Sequence, residues 1–167
     1  MFPRIFMKIS ESEFSKYVCD GVVQRRLLIF RNGEMRVFNV GDNLRYVGGD
    51  VYVQEVYDDA YRWLVDFESG VILRDCIILP SEDADPIILR RGDRVYLMEA
   101  VGRSVHSFVS PGDEVYIGMR VAAIFTGKRE VRYLRSSVKG RVVYVAQIGD
   151  KPQRYIFIII PFRVCGE

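Results

Sequence analysis

Short stretches of hydrophobic residues alternate with polar positions and turn residues along most of this chain, a pattern that is typical of β-strands. The clearest example is the pair of segments 27–30 and 35–38, which flank Arg-Asn-Gly-Glu. Asn-Gly is the preferred centre of a tight turn, so these segments predict a β-hairpin. The same pattern predicts further strands at 44–47, 51–56, 71–79, 121–125 and 155–160.

One short helix is predicted near the start of the chain. Residues 10–13 are Ser-Glu-Ser-Glu, which has the Ser-x-x-Glu form of a capping box. Phe14 and Tyr17 follow at helical spacing, and Gly21 supplies a stop. The segment 61–67 is predicted as a strand, and a helix over residues 58–67 is the alternative, because periodicity cannot decide between them in so short a segment.

The acidic segment between Pro80 and Pro86 interrupts the strand pattern. It has the sequence Pro-Ser-Glu-Asp-Ala-Asp-Pro, and three acids between two prolines do not favour a strand or a helix. We therefore predict a β-rich N-terminal domain with one short helix at residues 1–85 and a second β domain at residues 86–167. A long hairpin loop within a single domain is the alternative.

The second predicted domain contains a weak internal repeat. Residues 105–113 have the pattern Val-x-x-Phe-Val-x-x-Gly-Asp, and residues 142–150 have the similar pattern Val-x-x-Val-Ala-x-x-Gly-Asp. Each copy predicts a strand that runs into a turn, because Gly permits positive φ and Asp bonds to nearby backbone amides. Two such units facing each other would close a flattened β-barrel with approximate twofold symmetry.

Two segments of this domain resemble biotinyl and lipoyl carrier domains. Residues 112–118, Gly-Asp-Glu-Val-Tyr-Ile-Gly, are similar to the Gly-Asp-x-Val-x-x-Gly segment of those families, and residues 137–140, Ser-Val-Lys-Gly, are similar to their Pro-Val-Asp-Gly segment. The resemblance covers residues 94–162. It implies a mainly β protein whose C-terminal domain is a biotinyl/lipoyl-like barrel-sandwich hybrid, as in an uncharacterised archaeal protein family with a β-rich N-terminal domain.

In the carrier families, a hairpin between these two segments holds the lysine that is biotinylated or lipoylated. The corresponding segment here is Phe-Thr-Gly-Lys-Arg-Glu-Val. Counting forward from Gly112 places Lys128 at the carrier position, whereas counting back from Gly140 places Arg129 there. The chain lacks Met-Lys-Met, and Gly127 replaces the aspartate of lipoyl carriers. We therefore expect no cofactor, and a carrier protein with biotin or lipoate on Lys128 is the alternative.

A run of basic residues gives a second candidate site in a chain whose net charge is only +2. This basic strip consists of Arg120, Lys128, Arg129, Arg132, Arg135, Lys139 and Arg141, with Glu130 as its single acid. Tyr133 and Tyr144 lie among these residues, and arginines with aromatic residues often bind single-stranded nucleic acids. A basic strip of this charge also fits binding to an acidic protein partner, and it fits a surface that contacts only solvent. We expect residues 129–141 to bind a protein partner, with RNA as the alternative partner.

The composition argues against a metal site and against catalysis. Cys19, Cys76 and Cys165 are far apart and only His106 could join them, whereas a structural zinc site needs four paired ligands. His106 has serine neighbours, but successive strand residues point to opposite faces and the chain has no Gly-x-Ser-x-Gly motif. We expect no metal and no catalytic residues, and the chain then acts as a non-catalytic binding or scaffold protein.

The remaining expectations concern location and environment. The longest apolar run, residues 155–162, is far shorter than the roughly 20 residues of a membrane-spanning helix, so we expect no membrane contact. The start of the chain lacks a signal-peptide pattern, and unpaired thiols are typical of a cytoplasmic protein. Nineteen arginines against five lysines, with few asparagines and glutamines, are consistent with a thermophile.

Overall fold

The computed structural model describes residues 1–46 and 48–162, and these residues are mainly β, with sheets that curl as half-barrels. The strands are β1 (Arg4–Ile9), β2 (Val18–Cys19), β3 (Val22–Val23), β4 (Leu27–Arg31), β5 (Glu34–Phe38), β6 (Asp50–Glu55), β7 (Val65–Asp66), β8 (Val71–Ile72), β9 (Cys76–Leu79), β10 (Ile87–Leu89), β11 (Tyr96–Gly102), β12 (Ser104–Ser107), β13 (Glu114–Val115), β14 (Arg120–Phe125), β15 (Val131–Arg135), β16 (Gly140–Asp150) and β17 (Gln153–Pro161). The helical segments are α1 (Glu11–Phe14), α2 (Tyr61–Leu64) and a 3-10 turn at Tyr57–Asp59. The predicted mainly β class is confirmed.

A six-stranded antiparallel sheet, in the order β10-β9-β1-β6-β4-β5, forms most of the N-terminal half. Successive strand residues point to opposite faces, and both faces of this sheet are apolar. Phe6 and Leu28 lie in a buried cluster on one face, whereas Ile5 and Leu27 lie in cores on the other. The sheet is therefore covered on both sides rather than solvated on one.

Two smaller sheets form the C-terminal half. One has four strands in the order β11-β17-β16-β13, and the other has three strands in the order β12-β14-β15. The core between them is made of residues from both sheets, including Val105, Ala122, Val142 and Phe157. The three-stranded sheet thus has one face on this core and one face outside it.

β17 belongs to two cores at once. Ile156 and Ile158 are buried in a core shared with β1 and β9 of the six-stranded sheet, whereas Phe157 and Ile159 are buried between the two C-terminal sheets. The apolar run 155–160 is therefore the buried strand that the sequence predicts.

The strand β10 follows the acidic segment and pairs with β9 in the six-stranded sheet. Residues before and after position 85 also share one core, since Ile5 and Leu64 lie in the same buried cluster as Tyr144. The division into domains at residue 85 stays a prediction.

Two local predictions from the sequence are confirmed. α1 begins after Ser10, whose main-chain N–H donates to the carboxylate of Glu13 at 3.3 Å, as in a capping box. The predicted extension of this helix towards Gly21 is wrong, because α1 ends at Phe14 and Val18–Cys19 form β2. Strands β4 and β5 form the predicted hairpin, and Asn32 and Gly33 at its turn have φ values of 52° and 79°. The ambiguous segment 61–67 contains α2 and then the short strand β7.

The strand predicted at 44–47 is wrong for the residues that the structure describes, and Val47 lies outside them. Asn43 makes a single isolated bridge to Val22, and Leu44 lies in no strand. Leu44 is buried, and its N–H donates to the carbonyl of Gly21 at 2.8 Å. An irregular segment anchored by such bonds satisfies its backbone without a sheet partner. The predicted strand 71–79 is divided into β8 and β9.

The predicted equivalence of the two Gly-Asp turns is also wrong. Gly112 has a φ of 98° in a turn, and the carboxylate of Asp113 accepts a hydrogen bond from the N–H of Ser110 at 2.8 Å. Gly149 instead lies inside β16, at an irregularity in its pairing with β17. A β-bulge in β16 accommodates Gly149, which the sequence pattern assigns to a turn. The repeated sequence pattern therefore does not produce a repeated structure.

Candidate partner-binding surface

Lys128 and Arg129 lie in the loop that connects β14 to β15. The N–H of Thr126 donates to the carbonyl of Glu130 at 3.0 Å, and this bond closes a five-residue loop with Lys128 at its middle. Both basic residues are exposed, and Arg129 has a φ of 61°. Of the two residues that the sequence offers for the tip of this hairpin, the structure places Lys128 there.

Arg132 and Arg135 lie on β15. The side chain of Arg132 is 73% exposed, and its guanidinium lies 3.7 Å from the carboxylate of Glu130. Arg135 donates from Nη1 to the carbonyl oxygen of Gly118 at 2.9 Å. Both guanidinium groups remain accessible at the edge of the three-stranded sheet.

Lys139 and Arg141 are exposed but belong to a different part of the molecule, where the chain enters β16 of the four-stranded sheet. Val142 faces the core between the sheets, so Arg141 points to the other side and lies 4.0 Å from Glu114. The structure therefore divides the basic strip between two sheets. Two of its arginines have a carboxylate within 4.0 Å, since Glu130 lies near Arg132 and Glu114 lies near Arg141.

The outer face of the three-stranded sheet carries a group of exposed apolar and aromatic side chains. We call it the aromatic face, and it consists of His106, Phe108, Phe125, Val131 and Tyr133 together with Arg120, whose guanidinium lies over the Tyr133 ring. The register places His106 and Tyr133 on either side of Ala123, and Phe125 opposite Val131. Phe108 is 47% exposed and Tyr133 is 41% exposed. The alternate residues of the same strands face the core, so this face is the one left to solvent.

The aromatic side chains contact one another in a defined arrangement. The Phe108 ring lies 5.3 Å from the His106 ring, nearly perpendicular to it, and 6.4 Å from the Tyr133 ring, with 27° between their planes. The guanidinium carbon of Arg120 lies 4.0 Å from the centre of the Tyr133 ring, within the range of cation–π attraction. The face is thus an ordered surface of rings bordered by positive charge.

β15 is an edge strand of its sheet. In an antiparallel pair of strands, hydrogen-bonded residue pairs alternate with pairs that are not hydrogen-bonded. Thr126 and Glu130 form a hydrogen-bonded pair, so the pair two positions further along, Ile124 and Arg132, is also hydrogen-bonded. Arg132 is therefore hydrogen-bonded to β14, while the N–H and C=O groups of Val131 and Tyr133 face away from it. A row of main-chain donors and acceptors lies open beside the aromatic face.

The comparisons with known proteins identify the family. The family model described as "Uncharacterized protein conserved in archaea (DUF2118)" matches residues 1–162. The chain belongs to this family. A relative from Methanocaldococcus jannaschii, described as "Uncharacterized protein MJ0859", is 24% identical over 162 residues, which are 95% of this chain and 91% of that protein. The DUF2118 match includes both β15 and the aromatic face, and it confirms the predicted uncharacterised archaeal family.

Sequence reasoning missed the aromatic face, because it selected residues by charge. It also counted Tyr144 among the aromatic residues of the basic strip, but Tyr144 is fully buried. The available signal was the alternation in β15, where Leu134 faces the core and its neighbours Tyr133 and Arg135 face outward. Apolar residues at the outward positions of a strand indicate an interaction surface.

The residues around His106 do not form a nucleophile–base pair. The hydroxyl of Ser107 donates to the carbonyl of Val109 at 2.7 Å, while the His106 ring packs against Phe108. Among residues 1–46 and 48–162, no three or more His, Cys, Asp and Glu side chains are grouped so that they could bind a metal ion. In the same part of the chain, no helix has the length and hydrophobicity needed to cross a membrane.

Proposed function

We propose that this protein is a non-catalytic binding or scaffold protein, and that an acidic segment of a partner protein binds along β15 and the aromatic face. The observation that carries this proposal is the combination of an open strand edge with exposed apolar rings beside it. The serine next to His106 is bonded to the main chain, which supports binding rather than hydrolysis.

Strand addition explains how such a partner would be held. The outward N–H and C=O groups of Val131 and Tyr133 provide the main-chain hydrogen bonds of an added strand. Apolar side chains of the partner then contact Phe108 and Phe125, which supply buried area. Arg120 and Arg135, which lie on the same side of the sheet as the rings, favour an acidic segment by charge complementarity.

We also propose that the C-terminal half is a biotinyl/lipoyl-like barrel-sandwich hybrid. Two antiparallel sheets around one core support this assignment, as does a hairpin with a lysine at its tip. The position of Lys128 keeps the carrier hypothesis open as an alternative function.

A charge-reversal experiment tests the protein-binding proposal. The double variant Arg132→Glu, Arg135→Glu is compared with the control Arg62→Glu, Arg91→Glu, which makes the same charge change at exposed positions outside β15 and the aromatic face. Each tagged protein captures partners from an archaeal cell extract treated with nuclease, and the partners are quantified by mass spectrometry. We expect acidic proteins that the wild type and the control retain and the first variant loses.

A proline substitution separates strand addition from simple charge attraction. Val131→Pro removes an outward N–H without removing a bond to β14, so the fold is retained while the added strand loses a donor. We expect the captured partner to dissociate faster from this variant.

Equal capture by the Arg132→Glu, Arg135→Glu variant and the wild type would show that β15 is not the binding surface.

Single-stranded RNA is a second candidate partner, because bases stack on aromatic rings and on guanidinium planes. Phe108 and Tyr133 are nearly parallel at 6.4 Å, and Arg120 lies against Tyr133. This arrangement would support stacking of successive bases on an open sheet face.

Fluorescence anisotropy with an RNA of about 12 nucleotides tests this candidate, since known sites span roughly 4–16 nucleotides. If RNA binds here, Phe108→Ala and Tyr133→Ala should each weaken binding about fivefold or more, because stacking contributes about 1–3 kcal/mol per base. Tyr116→Ala is the matched control, because Tyr116 is exposed outside the aromatic face. Equal loss in all three variants would contradict stacking on this face.

A further inference from the structure

A cleft of about 600 Å³ lies on the N-terminal half, between the β4–β5 hairpin and the segment that follows it. Its apolar floor is formed by Ile29, Phe38 and Leu44. Ile29 and Leu44 also belong to the buried core beneath, so the floor is fixed by packing. The volume falls within the range of small-molecule sites, roughly 300–1,000 Å³.

The wall of the cleft is held in place by the end of the same segment. The hydroxyl of Tyr46 donates to the carbonyl of Gly49 at 2.9 Å. Gly49 has a φ of 102° and packs so closely on β4 that an added Cβ would lie 2.9 Å from the Cβ of Arg31. This close approach of the backbone requires glycine, and it fixes Gly49, the residue after the cleft-lining Gly48, against the end of β4.

Three arginines line the cleft with a single acid. Arg31, Arg36, Arg45 and Glu34 are all exposed and all face it. Within the described part of the chain, no carboxylate lies within 4.0 Å of these three guanidinium groups. Glu34 lies opposite Arg31 in the strand register, so it offsets one positive charge and the three arginines still leave the cleft with an excess of positive charge.

The strand register brings two of these arginines together. Arg36 lies opposite Ile29, and Arg31 is two residues further along β4, so the two arginines are diagonal neighbours on one face. Diagonal neighbours in an antiparallel pair lie about 7–8 Å apart, a span that two guanidinium groups can bridge around one phosphate. Such a pair is a suitable site for a phosphate or carboxylate group.

The floor suggests what the rest of the ligand would be. The guanidinium carbon of Arg36 lies over the Phe38 ring, 5.0 Å from its centre, within the range of cation–π attraction. A guanidinium plane in this position can stack against a second planar ring. The amides of Asn32 and Asn43 add donors and acceptors at the rim.

From these contacts we infer that the cleft binds a phosphorylated small molecule with a planar ring, the chemistry of a nucleoside phosphate. The phosphate binds between Arg31, Arg36 and Arg45, and the ring lies over Arg36 and Phe38. This site is separate from the aromatic face, and it does not depend on the partner-binding proposal.

Isothermal titration calorimetry of the full chain tests the site with ATP, AMP, adenosine and inorganic phosphate in magnesium-free buffer. We expect ATP and AMP to bind at least about tenfold more tightly than adenosine or phosphate, because each fragment keeps only part of the contacts. Arg36→Gln and Arg45→Gln should each weaken ATP binding about tenfold, which corresponds to losing one charge-assisted contact. Arg103→Gln is the control, because Arg103 is exposed between β11 and β12, on the other half of the molecule.

Three results would overturn the inference. The first is the absence of binding heat with ATP at about 1 mM, since a ligand that weak gains less than about 4 kcal/mol. The second is unchanged ATP binding in Arg36→Gln when its urea midpoint equals that of the wild type. The third is an equal loss in Arg103→Gln, which would show that ATP binding responds only to the overall charge of the protein.

Discussion

The hydroxyl of Tyr144 donates a hydrogen bond to the main-chain carbonyl of Tyr57 at 2.7 Å, across 87 residues of sequence. The same hydroxyl accepts from the N–H of Tyr61 at 3.2 Å, and the hydroxyl of Tyr57 accepts from the N–H of Val145 at 3.1 Å. The two rings lie 4.8 Å apart. These bonds join the 3-10 turn of the N-terminal half to β16.

Removing the Tyr144 hydroxyl should destabilise the protein. Tyr144→Phe keeps the ring but leaves a carbonyl and an N–H without their partner in a buried site, which costs about 1–3 kcal/mol. The measurement is the free energy of unfolding in urea. Tyr155→Phe is the control, because the Tyr155 hydroxyl lies 3.4 Å from Gln147 near the surface, and it should change stability by less than about 0.5 kcal/mol.

The tyrosine pair also predicts how stability changes in alkali. Burial raises the pKa of both Tyr57 and Tyr144 well above the ordinary value for tyrosine. Below pH 10 the phenols are neutral in both states, whereas above about pH 10 the unfolded chain loses these protons and the folded chain keeps them. Stability should therefore fall above about pH 10, by about 1.4 kcal/mol per pH unit for each buried phenol.

Urea unfolding at several pH values between about 9 and 11 measures this effect, because that range spans the ordinary tyrosine pKa of about 10. Tyr144→Phe should show a shallower decline than the wild type, because one of the two phenols is gone. Parallel curves for the two proteins would contradict a buried, neutral Tyr144.

A close approach of strands explains one glycine of the carrier-like motif. An added Cβ at Gly140 would overlap the carbonyl oxygen of Ile160 and lie 2.8 Å from a side-chain carbon of Ile159. Gly140→Ala should therefore cost about 1–3 kcal/mol, because a backbone atom cannot move aside easily. Gly127→Ala is the control, since nothing lies within 4 Å of an added Cβ there. Equal thermal midpoints for the two variants would show that β17 can shift.

Lys128 should be unmodified in protein made in a bacterial host. It lies exposed at the middle of the β14–β15 loop, but its neighbours Gly127 and Arg129 differ from those that carrier lysines have. Intact-mass measurement should give the mass of the unmodified chain. A stoichiometric increase by biotin or lipoate, absent in Lys128→Arg, would instead make the carrier hypothesis correct.

Local signals in the sequence predicted local structure well. Asn32-Gly33 predicted the β4–β5 hairpin, because the turn type depends only on the residues within it. The repeat between residues 105–113 and 142–150 predicted a turn at Gly149 wrongly, because the bulge there depends on the pairing of β16 with β17. A different equivalence appears instead: the hydroxyls of Ser107 and Ser136 each donate to the carbonyl of the second residue onward, at 2.7 and 2.6 Å.

The candidate site was predicted in part, for a related reason. The β14–β15 hairpin and its exposed basic residues follow from the sequence, but the aromatic face requires the pairing of β12 with β14. Only that pairing brings Phe108 beside Tyr133. The cleft lined by Arg31, Arg36 and Arg45 likewise depends on how residues 43–45 lie against β4 and β5, which no short motif specifies.

The position of β17 between two cores has a consequence for synthesis on the ribosome. Its alternate residues complete both the core with the six-stranded sheet and the core between the C-terminal sheets. Neither core can close while Ile156 and Phe157 are still inside the exit tunnel. The strands made earlier therefore keep apolar surfaces uncovered until β17 emerges, and such exposed surfaces make a nascent chain prone to aggregation.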